Sequence, residues 1–149
     1  MSSSTPKSFS NNPHLQDELL ELIRQKLEQS DEQMIRFRRD LHAHPELAGE
    51  ELRTTDRLAE RMDTLGYELH ELPGTGVVAD LNVGAPDDSW MAIRADIDCV
   101  PVDDEKSVAW RSKSPGRCHA CGHDAHATMA LFAGEALASQ RRILEESNP

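Results

Sequence analysis

The chain has 149 residues, which is enough for at most one domain. Leu, Ile, Val and Phe make up 30 of them and the formal net charge is -11, so any hydrophobic core must be thin. The acidic balance argues against nucleic acid and anionic membranes as partners, because both bind basic surfaces, and no apolar run is long enough for a transmembrane helix.

The first 13 residues are rich in Ser, Asn and Pro and are predicted to form a disordered tail. They contain no apolar segment of the kind that a secretory signal requires. Three cysteines are an odd number and a poor basis for a disulfide framework. We therefore expect a cytoplasmic protein with a folded segment over residues 14–144 and a polar tail over residues 145–149.

Three successive segments carry apolar residues at helical spacing. The first helix is predicted over about residues 15–29. A second helix follows at once, because Ser30 and Gln33 have the form of a capping box. A third is predicted over about residues 50–65, with Gly66 as the left-handed residue that ends it.

The end of the second helix is rich in charged residues and histidines. Three arginines are predicted to form a solvent-exposed charged face: Arg36, Arg38 and Arg39. His42 and His44 follow, and Pro45 ends the helix. Residues two apart do not share a helix face, so the two histidines are expected at a turn or at the edge of a site rather than as a chelating pair.

The periodicity then changes to that of strands. Strands are predicted over residues 67–72, 77–83 and 90–95, separated by polar turns that contain Gly and Pro. The third is mostly apolar, so we expect it to lie centrally in a sheet. The order of helices, strands and a final helix over about residues 123–144 predicts an α/β fold, part of a mixed sheet flanked by helices.

Two carboxylates, Asp96 and Asp98, follow the third predicted strand. Side chains two apart on a strand project to the same face, and the carboxyl end of an inner strand is where α/β proteins form sites. The functional interpretation is that at least one of them orients a ligand or bound water. The alternative is a pair of solvated acids at a surface strand end.

Residues 118–126 contain two cysteines, three histidines and an aspartate. Thiolates and neutral imidazoles are good ligands for zinc and similar ions. A structural zinc knot would need a second pair of ligands downstream, and a redox Cys-x-x-Cys pair does not require the histidines. Haem attachment fails because residue 122 is Gly. A catalytic metal site with Cys121 and His123 as ligands, supported by Asp98, is therefore the leading interpretation.

Three motifs resemble the dinuclear-metal amidohydrolases related to aminoacylases and zinc carboxypeptidases. That family includes N-acyl-amino-acid, hippurate and auxin-conjugate hydrolases. The motifs are RRDLHAHPEL at residues 38–47, IRADIDCVP at residues 93–101, and PG followed by HACGHDAH within residues 115–126. Their order and intervals are specific to the family, and the resemblance covers most of the chain, from residue 31 to residue 140.

The resemblance implies that Cys121 ligates and bridges two divalent metal ions, that His123 is a terminal ligand, and that Asp98 is the catalytic carboxylate that tunes the site. Four residues of the same motifs are secondary candidates: Asp96, His119, Asp124 and His126. The implied reaction is hydrolysis of the amide bond of a small N-acyl amino acid or related conjugate. The metal could be Zn²⁺, Mn²⁺, Co²⁺ or Ni²⁺.

The chain also departs from the family pattern. Cys118 replaces an apolar residue, so the Cys-x-x-Cys spacing is incidental. The family's general-base glutamate, a neighbouring ligand glutamate and further ligand histidines come well after the last helix and are absent from this chain. The resemblance therefore implies a truncated N-terminal segment of the catalytic domain, inactive alone. The alternative is a non-catalytic metal-binding or assembly module, or a gene relic.

Overall fold

The computed structural model describes residues 13–84 and 90–146. The predicted N-terminal tail lies outside this part, except for Pro13, which begins the first helix. Within the described residues the chain forms five helices: α1 (Pro13–Gln29), α2 (Asp31–Ala43), α3 (Leu52–Thr64), α4 (His123–Ser139) and α5 (Arg141–Glu146). None of these helices is long and apolar enough to cross a membrane.

The sheet is a two-stranded antiparallel hairpin of β1 (Glu68–Glu71) and β2 (Val77–Asp80), with Glu68 opposite Asp80. The first two predicted strands are confirmed, although each is shorter than expected. The mixture of helices and strands agrees with the predicted fold class, a partial helix-flanked domain.

The third predicted strand, over residues 90–95, is wrong. In the described part of the chain this segment pairs with no strand, and Trp90 and Met91 are 70% and 80% exposed. A strand needs a neighbouring strand with which it can form a ladder of backbone hydrogen bonds. Among the described residues only isolated bridges form after this segment, between Cys99 and Leu47 and between Val100 and Cys118.

The core lies where α4 packs across the three N-terminal helices. Leu58 of α3 and Leu131 and Phe132 of α4 form its buried centre. Phe37 of α2 meets the ring of Phe132 edge-on at 6.2 Å. The core is small, as the low content of large aliphatic residues predicted.

Buried ion pairs supplement this core. Glu135 on α4 is only 4% exposed and lies 2.9 Å from Nζ of Lys26 on α1 and 2.6 Å from Nη2 of Arg61 on α3. Burial alone would raise the pKa of Glu135, but hydrogen bonds from Lys26 and Arg61 outweigh it and lower the pKa. One carboxylate thus ties three helices together.

Three further predictions about helix ends had different outcomes. Gly66 adopts the left-handed conformation after α3, with φ +78°, as expected. The capping box is wrong, because the side chain of Ser30 makes no capping hydrogen bond. Its N–H instead donates to the carbonyls of Lys26 and Leu27, so one tight turn carries α1 into α2. The predicted final helix is interrupted at Gln140, between α4 and α5.

Candidate metal centre

The candidate centre forms where the segment after residue 95 meets the N-terminus of α4. Backbone hydrogen bonds in both directions join Val100 to Cys118 and hold the two segments side by side. Gly122 then turns the chain into α4 with φ +86°, a left-handed conformation that glycine adopts at little cost. The result brings Asp98 beside the first turn of the helix.

Asp98 fixes the orientation of His123. Nδ1 of His123 lies 2.8 Å from Oδ1 of Asp98 and 3.1 Å from its backbone oxygen. A backbone carbonyl can only accept, so Nδ1 must carry the proton and donate. This tautomer leaves the Nε2 lone pair free, which is how a carboxylate prepares a histidine to bind a metal ion.

Cys121 lies against the same residue. Its thiol is exposed, and Sγ is 3.7 Å from the backbone oxygen of Asp98. The two ligands predicted from the sequence therefore both contact the predicted positioning carboxylate residue. A solvent-accessible thiol and an imidazole with a free Nε2 form a donor set that suits a divalent transition-metal ion.

The secondary candidates are spread more widely. Asp96 pairs with Arg94, whereas His123 pairs with Asp98. His126 is exposed, with its ring centroid 5.5 Å from that of His123. His119 is 3% exposed and neither ring nitrogen has a hydrogen-bond partner among the described residues. Burial lowers the pKa of His119, which favours the neutral ring.

Asp124 is fully buried and its carboxylate is already engaged. Oδ2 lies 2.7 Å from Nε of Arg38 and 2.6 Å from Nδ1 of His42, and Oδ1 accepts the N–H of Ala125. Its contacts connect α4 to α2 beneath the candidate centre. In this structure its carboxylate binds Arg38 and His42 and is not available as a metal ligand.

Arg38 was missed as a site residue by sequence reasoning, whereas His42 had been expected at a turn or at the edge of a site. The prediction of an exposed arginine face holds for Arg36, which pairs with Glu32 at the surface. It is wrong for Arg38, because Asp124 draws its guanidinium to a buried carboxylate. The sequence signal that could have linked Arg38 to His42 is their spacing, since residues four apart share a helix face. Arg39 lies over the Trp110 ring, 3.8 Å from its centroid.

Comparisons with known proteins relate the chain to a peptidase family. Residues 92–148 match the model of the peptidase family M20/M25/M40. The chain is 40% identical over 111 residues to an N-acetylcysteine deacetylase of Bacillus subtilis, covering 73% of this chain and 29% of the relative. It is 34% identical over 148 residues to the IAA-amino acid hydrolase ILR1-like 2 of Arabidopsis thaliana, covering 97% and 32%.

A solved structure is also similar. The crystal structure of YXEP from Bacillus subtilis, described as a dinuclear metal binding peptidase from the M20 family, has a TM-score of 0.68. It is 37% identical and covers 73% of this chain and 31% of that chain. These matches relate the chain to the M20/M25/M40 peptidase family. The chain spans between 14% and 33% of the length of the curated relatives it matches.

Proposed function

We propose that this chain forms part of an enzyme that hydrolyses the amide bond of N-acyl amino acids or related conjugates, with divalent metal ions as cofactors. The observation that carries the proposal is the arrangement of His123 and Cys121 around Asp98, with Nδ1 of His123 2.8 Å from the carboxylate. Relatives named as deacetylases and amidohydrolases support the reaction class.

Each residue has a defined part in the proposal. His123 would bind a metal ion through Nε2 and Cys121 through its thiolate. Asp98 would hold the proton on Nδ1 of His123 and keep the ring in place. When bound, such ions activate water and polarise a carbonyl. Asp124 would act at a distance, by holding α2 against the start of α4.

We propose that the 149 residues alone do not turn over substrate. Two protein ligands hold a metal ion weakly, since catalytic zinc sites use three. The chain spans about a third or less of its relatives. The remaining ligands and the general base would come from sequence that this chain does not contain. A cytoplasmic location and the lack of nucleic-acid and membrane partners stay predictions.

A fragment exchange tests the proposal. The part of this chain that aligns with the Bacillus subtilis N-acetylcysteine deacetylase over 111 residues would replace the equivalent region of that enzyme. The chimera is expected to release cysteine from N-acetylcysteine only when divalent metal is supplied. His123→Ala or Cys121→Ser should reduce this release at least 100-fold, because each removes a ligand. The isolated chain should release none.

The control is Cys99→Ser, which alters a buried thiol outside the ligand set. The Cys99→Ser chimera should retain metal-dependent activity. The Asp98→Asn chimera should bind metal roughly 10- to 100-fold more weakly, because the carboxylate that orients His123 is lost. Chimeras in which His123→Ala and Cys121→Ser hydrolyse N-acetylcysteine as fast as their parent would refute the proposed ligand roles. Circular dichroism would establish that all variants share one fold.

A further inference from the structure

A second group of ligand-type side chains includes neither Cys121 nor His123. His42, Asp104 and Cys118 are all buried, with 1%, 5% and 2% of their surfaces exposed. One ligand atom of each lies within 4.8 Å of the others. We propose that these three residues form a separate, buried binding site for a divalent transition-metal ion such as Zn²⁺. The proposal does not depend on the proposed function.

The spacing of the donor atoms suits such an ion. Nε2 of His42 lies 3.3 Å from Oδ2 of Asp104. Two ligands bound at about 2.0 Å in a tetrahedral arrangement are separated by about 3.3 Å. The third donor, a cysteine sulfur, is the ligand that favours zinc and related ions over magnesium or calcium.

The surroundings of His42 prepare its Nε2 as a ligand. Nδ1 lies 2.6 Å from Oδ2 of Asp124, and Arg38 holds that carboxylate in place. A proton on Nδ1 leaves the Nε2 lone pair facing the carboxylate of Asp104. When Nε2 is unprotonated, two acceptors face each other at 3.3 Å, and a cation between or beside them relieves their repulsion. The carboxylate–histidine arrangement is the one that orients metal-binding imidazoles in proteins.

Lys106 supplies a cation to this cluster. Its Nζ lies 3.1 Å from Oδ1 of Asp104, 3.3 Å from Nε2 of His42 and 3.8 Å from Sγ of Cys118. The ammonium thus contacts all three proposed ligands. Nε2 of His42 can accept a hydrogen bond from this ammonium when the ring proton is on Nδ1.

A metal ion would exchange with this ammonium. The side chain of Lys106 is 49% exposed whereas that of Asp104 is 2% exposed, so Lys106 can swing into solvent without disturbing the buried ligands. The Cys118 thiol must lose its proton to bind a metal ion. Binding would release that proton to solvent, and the resulting thiolate together with the Asp104 carboxylate would balance the two positive charges.

The test uses Co²⁺ as a probe and the whole 149-residue chain. Cys121→Ser together with His123→Ala removes the first candidate centre. This double variant is expected to bind one Co²⁺ with a thiolate-to-cobalt charge-transfer band. Adding Cys118→Ala should abolish the band. Adding Cys99→Ala instead should leave it intact, because Cys99 is equally buried but lies outside the cluster.

Lys106→Met is expected to strengthen Co²⁺ binding, whereas Cys118→Ala is expected to abolish it. Removing the competing ammonium should tighten Co²⁺ binding at least tenfold, a gain that a poorly folded protein would not show. The proposal is overturned if the Cys121→Ser/His123→Ala background shows no charge-transfer band with or without Lys106→Met. A band that survives Cys118→Ala overturns it as well.

Discussion

Removal of the Asp124 carboxylate should destabilise the chain more than any other single change of charge. Asp124→Ala deletes the acceptor for Arg38, His42 and the N–H of Ala125 in a fully buried position. Removing one partner of a buried pair costs roughly 3–5 kcal/mol. The Arg38 side chain keeps 35% of its surface in solvent, which reduces the penalty of leaving it unpaired. We therefore expect about 3 kcal/mol at neutral pH.

Urea unfolding followed by far-UV circular dichroism would measure this loss, with a fall in Tm of about 10 °C in a thermal scan. Asp56→Asn changes an exposed acid on α3 and should alter the free energy of unfolding by no more than about 0.5 kcal/mol. Asp124→Asn keeps the shape and one acceptor, so its cost should fall between the two. If Asp124→Ala unfolds at the same urea concentration as Asp56→Asn, the buried network does not hold α2 to α4.

Two other substitutions should lower the free energy of unfolding. Glu135→Gln should cost about 1–2 kcal/mol at pH 7, since Lys26 and Arg61 remain partly solvated. The folded-state pKa of Glu135 is lowered, so this contribution is complete above the ordinary glutamate pKa and is lost as pH falls through the folded value. The stability gap between parent and variant should therefore narrow from pH 7 to pH 3 in urea titrations, and a constant gap would contradict the ion pairs. Gly122→Ala should cost about 1 kcal/mol, because φ is +86° there. An unchanged urea midpoint would contradict a left-handed conformation at residue 122.

The helices and the candidate ligands could be predicted from the sequence because their signals are local. Apolar spacing gave α1 and α3 nearly to their ends, and the left-handed Gly66 followed from its place after α3. Cys121 and His123 stood out by residue type and motif. Asp98 was proposed from its place after the third predicted strand and from the resemblance, and in the structure its carboxylate lies 2.8 Å from Nδ1 of His123.

The features that sequence reasoning missed depend on distant partners. Arg38 resembles an ordinary surface residue of a helix, and the contact of His42 with a buried carboxylate has no local signal, because Asp124 lies more than 80 positions later. The apolar segment at residues 90–95 has the composition of a central strand, but composition does not supply a neighbour with which to pair. Both errors concern contacts across the fold rather than local preference.

The account depends most on Asp98 holding His123 so that Nε2 can bind a metal ion. The direct measurement is the pair of ¹⁵N chemical shifts of the His123 imidazole at neutral pH, before and after one equivalent of Zn²⁺, assigned with His123→Ala. We expect a proton on Nδ1 throughout and a zinc-induced change at Nε2. A proton on Nε2 in the free protein, or nitrogen shifts that zinc leaves unchanged, would contradict the account.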